Sequence, residues 1–340
     1  TPDVAARPDA VEAADAHPEQ FAYDPRRRSP PPRTMGEKKP WEDPNADAMG
    51  GFAVVKKARD LFEGTRKSSM LAPWLSFLML STLVYLVFSD GDFSFLLTYA
   101  SLTRCFGITL LVAKMQTSQS AAGLSAKTLH CYAVVFASRL VSIMRHEGYL
   151  PYDRSGDWIY HCVEFASFGA TLAALGLVHV VHGRSYEENN DSFGALPPLP
   201  GSLGALVVIL PTLLFAACFH PGLNKDFISD TSWTYAMYLE SFAILPQLFL
   251  FQKQSKANAT VDYLIGHFVA ALGFSRLVEM GFWMNSFHEL ADRNGNRYVG
   301  VLVLATQMVH LVIMGDFFYF YLRSVGRGMP IQLPTAAGMV

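Results

Sequence analysis

Six ionisable side chains stand inside stretches otherwise apolar enough to lie in a bilayer: Arg104, Arg139, Glu240, Arg276, Glu279 and Asp316. A charge at the centre of a membrane helix costs about 2.5–3.5 kcal/mol on insertion scales, so such residues turn to the bundle interior and pair. Two chemistries fit. One is a polar cavity in which guanidiniums grip a carboxylate and carboxylates take a cation. The other is a set of ion pairs fastening helices together, where loss of one partner strands the other. Spacing alone leaves both open.

Glu240 sits in Tyr238-Leu-Glu-Ser-Phe-Ala-Ile-Leu-Pro-Gln-Leu248, where Pro246 removes a backbone donor and bends the helix. Apolar runs predict eight spans, at 70–89, 93–113, 128–146, 158–181, 203–220, 232–252, 263–284 and 299–322. Each is near the roughly 20 residues a bilayer requires. An even number places both termini on one side. Lys56, Lys57, Arg59, Lys114, Lys127, Arg184, Lys253, Arg323 and Arg327 collect there. Basic loops mark the cytosolic, matrix or stromal side.

Hydrophobic residues make up 51% and charged residues 16% of the chain, with a net charge of −2. That balance describes an all-α membrane protein and gives no nucleic-acid signature. Membrane lipids are expected partners. Cys105, Cys131, Cys162 and Cys218 fall in apolar runs without metal-ligand spacing, and are expected to be buried free thiols. The histidines form no HExxH or His/Asp cluster, and no Gly-rich phosphate loop is present, so neither an enzyme nor a bound cofactor is expected. His310, inside the last span, reads as a packing residue with one hydrogen bond. Residues 1–69 form a polar arm rich in Pro, Asp and Arg, a composition that predicts disorder in isolation and docking onto partner subunits. The start at Thr1 fits a removed organellar presequence, and equally a partial chain. Asn258-Ala-Thr260 is a glycosylation sequon on the wrong side for use, and Asp292–Asn296 is turn-like.

Three further stretches, Ala122-Gly-Leu-Ser-Ala-Lys127, Val135-Phe-Ala-Ser-Arg139 and Asp316-Phe-Phe-Tyr-Phe-Tyr321, join the Tyr238–Leu248 stretch in one order. Together they resemble the ER lumen protein retention (KDEL) receptors, over about residues 93–334. The resemblance implies a seven-helix bundle shared with PQ-loop and SWEET transporters, here residues 93–323. Span 70–89 is then an additional N-terminal transmembrane helix, and 324–340 a tail. It also implies a cavity in which arginines grip the carboxylate of a C-terminal tetrapeptide, switched by a first-helix histidine. Arg139, Asp230, Trp233, Glu240, Arg276, Trp283 and Asp316 occupy matching places, and Glu279 adds a charge.

Departures fall where the family binds. The histidine position is Arg104, which does not titrate near neutrality. The first-helix arginine position is Leu97 and the seventh-span arginine position is Ser286. Ser142 stands for an acidic residue, Ser275 and Glu279 for tyrosines, and Met329-Pro330 for the tail's lysine pair. The expectation from these losses is a non-catalytic accessory subunit of an organellar complex. The mitochondrial inner membrane is favoured over the thylakoid, with the arm clasping neighbouring subunits. The alternatives are a divergent ER–Golgi retrieval receptor for C-terminal tetrapeptides, and a PQ-loop-type small-solute transporter.

Overall fold

The computed structural model describes residues 71–88, 93–146, 157–195, 200–222, 224–257, 260–288 and 297–327, with Met329 and Ile331. The 1–69 arm, most of the sequon, the 292–296 turn and the tail beyond 331 lie outside these residues. The chain divides into two compact units, Thr1–Lys57 and Ala58–Val340. The second holds all the described residues.

Among the described residues nine helices build it: α1 (Leu71–Phe88), α2 (Phe95–Ser118), α3 (Ala126–Arg145), α4 (Asp157–Gly176), α5 (Leu206–Cys218), α6 (Phe227–Phe242), α7 (Leu245–Lys256), α8 (Tyr263–Asn285) and α9 (Tyr298–Arg327). The protein is an all-α integral membrane protein. Among the described residues, six helices, α1, α2, α4 with its π-turn Leu177–Val181, α5 with its preceding turn, α8 and α9, are long and apolar enough to cross a membrane. Helix α3 carries Lys127, Arg139 and Arg145 within 20 residues. The sixth expected span is two shorter helices, α6 and α7, because Pro246 occupies the first turn of α7 and cannot continue α6.

Helix α2 packs along α8 and α4, α3 along α6 and α4, and α9 against α8 and α6. The α6–α7 break is fastened rather than loose. Gln247 Oε1 accepts from Ser125 N at 2.9 Å and its Nε2 donates to Gly123 O at 3.0 Å. Gly123 has φ +79°, a left-handed conformation that favours glycine. Nearby, Lys127 Nζ donates to the carbonyls of Asp191 and Phe193, and Ser125 Oγ donates to Asp191 Oδ1. The Ala122–Lys127 motif is therefore a structural knot joining α3, α7 and the loop after α4.

Helix α1 lies on the outside of the bundle. Trp74 Nε1 donates to Tyr321 Oη at 2.9 Å, and Phe77 stacks on Phe106, while Leu75, Leu78, Met79 and Leu86 stay exposed. One face against the bundle and one toward lipid is what an added peripheral span needs. All four cysteines are free, but only Cys131 is buried. Cys162 and Cys218 lie on outward helix faces, which corrects the expectation of four buried thiols. Apolar periodicity does not distinguish a core-facing from a lipid-facing position, since both are apolar.

Candidate ligand cavity

Three guanidiniums and three carboxylates meet in the interior. Helix α2 supplies Arg104, α3 Arg139, α4 Glu164, α6 Glu240, and α8 both Arg276 and Glu279. Arg104 is 1% exposed and Glu164 and Glu240 are fully buried, so every charge must be met within the cluster. Arg104 Nη1 donates to Glu240 Oε1 at 3.0 Å and to Glu279 Oε2 at 2.9 Å. Its Nη2 donates to Ser101 Oγ at 2.8 Å and to Glu164 Oε1 at 3.1 Å. Arg139 donates to both Glu164 oxygens at 3.2 and 3.4 Å and to Glu240 Oε2. Arg276 pairs with Glu240, reaches Glu279 Oε2 at 3.1 Å and donates to Gln307 Oε1 of α9 at 3.2 Å. The charges in this cluster sum to zero. A closed network of this kind holds helices in one arrangement, because breaking any one pair leaves a buried charge uncompensated.

A small cavity adjoins the cluster. Arg139, Arg276, Glu279 and Gln307 form its polar lining, and Leu97, Tyr160, Trp233, Met237, Trp283 and Val303 its walls. It leaves about 20 Å³ for the centres of water-sized molecules, room for about one water.

Of the expected site residues, the cavity and cluster bring together Arg139, Trp233, Glu240, Arg276, Glu279 and Trp283, along with Arg104 and Leu97 from the positions of departure. Asp230 is buried at the start of α6, where its carboxylate accepts from Asn224 N at 3.1 Å. Ser142 pairs with Ser229 at 3.2 Å, Ser275 donates to its own helix at Leu272 O, and Ser286 lies just beyond α8. Asp316 is not brought to the cavity: it faces outward from α9, on the opposite side from buried Met314 and Phe317. His310 lies 3.0 Å from the Glu240 carbonyl and 3.1 Å from Met314 Sδ.

Sequence reasoning missed Glu164, Tyr160, Ser101 and Gln307. Glu164 was legible, as the one carboxylate in the 158–181 run. An unpaired carboxylate there would be as costly as Glu240. The other three are neutral, and nothing in their spacing separates a cavity-lining polar group from one bonded to its own helix.

Comparison with known proteins supports the family resemblance. The sequence profile described as ER lumen protein retaining receptor matches residues 120–286. The chain is 28% identical over 236 residues to an ER lumen protein-retaining receptor of Drosophila melanogaster, covering 69% of this chain and 96% of that protein. ER lumen protein-retaining receptor 2 of Danio rerio gives the same identity and coverage. The receptor of Petunia hybrida is 27% identical over 239 residues. The chain is similar to the ER lumen protein-retaining receptor family.

That similarity corrects the expectation of an accessory subunit in a mitochondrial inner-membrane complex. Relatives covering 69% of the chain carry the name of a retention receptor, and neither a mitochondrial location nor complex partners gain support. The physical reason for the error is visible in the cluster. Leu97 and Ser286 looked like the loss of a ligand site, but Arg104, Glu164 and Glu279 belong to a dense ionic interior.

Proposed function

We propose that this protein is a non-enzymatic ER–Golgi retrieval receptor that takes the C-terminal tail of an ER protein into the cavity between Trp233 and Trp283. One observation carries the proposal. Arg139, Arg276 and Glu279 reach the cavity wall from the ion cluster, so charged groups rooted in the helix interior face a space enclosed by aromatic side chains. Indole walls and convergent polar groups are the usual makings of a small ligand site.

The conformation described here has room for about one water, so peptide binding requires Trp233 of α6 and Trp283 of α8 to part. Movement of side chains and helix ends on this scale is common in signalling and sorting proteins. The altered lining at Leu97 supports a changed tetrapeptide preference. The basic loops support an orientation with both termini in the cytosol and the cavity opening to the lumen.

The experiment is equilibrium binding of fluorescent peptides, randomised at their last four residues, to the purified full chain in detergent. Saturable binding that Trp233→Ala and Trp283→Ala each weaken by about tenfold supports the cavity. Absence of saturable binding by any peptide, with the protein intact by thermal melt, refutes it.

A further inference from the structure

We infer that Gln307 of α9 is the specificity-determining donor of this cavity, and that it receives a neutral peptide acceptor as readily as a free terminal carboxylate. The inference rests on the peptide-receptor function proposed above and names what that site recognises.

Gln307 is 1% exposed and lines the cavity. Its Oε1 accepts from Arg276 Nη1 at 3.2 Å, which fixes the amide's orientation and turns Nε2 away from the guanidinium. Nε2 then has no acceptor among the described residues, and neither does Nε of Arg276, whose side chain lines the same cavity. Buried donors of this kind are normally satisfied, so two of them on the wall of one cavity call for an oxygen acceptor supplied from outside.

The charge balance sets the kind of acceptor. All three guanidiniums are engaged by Glu164, Glu240 and Glu279, three charges against three. Among the described residues no other cation lines the cavity, and Leu97 and Val303 complete its wall with hydrocarbon. An entering carboxylate would leave the buried site one negative charge in excess, which a low-dielectric interior penalises. A carbonyl oxygen fills the same two donors without that penalty. Here hydrogen bonding replaces charge as the basis of recognition, and a site built to hydrogen-bond discriminates by leaving its donors unpaired when the acceptor is missing.

The test uses the randomised peptides in two forms, free acid and C-terminal amide, against the wild-type full chain, Gln307→Leu and Gln307→Asn. The expected result is an acid-to-amide affinity ratio within about threefold for wild type, with both forms weakened about tenfold or more in Gln307→Leu. An acid form bound about a hundredfold tighter than its amide overturns the inference while leaving the receptor function standing. Unchanged binding of both forms in Gln307→Leu also overturns it. If neither form binds wild type, the receptor function fails and takes the inference with it. Should Gln307→Leu not fold, the wild-type ratio and the shorter amide of Gln307→Asn still decide the matter.

Discussion

Glu164 Oε1 lies 3.1 Å from Nη2 of Arg104, and both side chains are sealed from solvent. The same oxygen accepts from Ser101 Oγ at 2.8 Å and from Arg139 at 3.2 Å. One carboxylate on α4 therefore ties α2 to α3. The interior works as a unit, so its members cannot be assigned separate energies.

Glu164→Ala leaves Arg104 and Arg139 short of one buried counter-charge. Removing one partner of a buried pair costs about 3–5 kcal/mol, against about 5–15 kcal/mol for a whole domain. Chemical denaturation in detergent should show a loss of that order for Glu164→Ala and for Arg104→Leu singly. The double variant Arg104→Leu/Glu164→Leu returns the cluster to two charges of each sign. It should be more stable than either single variant. Additive losses in the double would show that the two side chains are not coupled.

The position that the family resemblance assigns to a histidine switch is Arg104, whose guanidinium stays charged throughout the physiological range. Peptide affinity should consequently vary by less than about threefold between pH 5.5 and 7.5, since no titration at this position couples to binding. Arg104→His should introduce a pH dependence or abolish folding of the cluster, and a thermal melt separates these. Wild-type affinity that rises tenfold on acidification would place a switch elsewhere in the receptor.

Gln247 offers a more local test. Its side chain satisfies Ser125 N and Gly123 O, and its own N–H lies 3.0 Å from Thr128 Oγ1. Gln247→Leu keeps the volume but strands a buried donor and acceptor, each worth about 1–3 kcal/mol. The melting temperature in detergent should fall. Gln247→Glu keeps the acceptor for Ser125 N while losing the donor to Gly123 O, and should fall less. Equal losses would assign the effect to packing alone.

The sequence made the bundle legible because a bilayer imposes a length and an apolar composition on every span, and eight such runs stand out from 70 to 322. The division of the sixth span into α6 and α7 was signalled by Pro246, though its fastening by Gln247 to Gly123 and Ser125 depends on tertiary placement. In the site, Arg139, Glu240, Arg276 and Glu279 were legible because charge in an apolar run is costly wherever it points. That rule finds the charged residues without orienting them. Asp316 obeys it as well as Glu240 does and still faces outward from α9, while Glu164 obeys it and was passed over. Neutral Gln307 and Tyr160 carry no such cost, and only the packing of α9 and α4 against the cavity reveals them.

Outside the spans, Asp226 caps α6 and accepts from Arg145 Nε at 2.9 Å, joining the end of α3 to the start of α6. The Arg145 hydrogen bond, helped by charge and by the Ser229 N–H, holds this carboxyl below the usual aspartate range. His146 Nδ1 lies 3.5 Å away on the same side. A folded value below the unfolded one of about 3.9 means that the pair's contribution is fully present above that pH. It is lost only as pH falls through the lower, folded value. The melting-temperature difference between wild type and Asp226→Asn should therefore stay constant from pH 7.5 to 5.5, the range over which a retrieval receptor would work, and shrink below about pH 4. Because Arg145 is 46% exposed, the difference should also narrow in high salt. A difference that already changes between pH 7 and 6 would show that the Arg145–Asp226 bond is not its source.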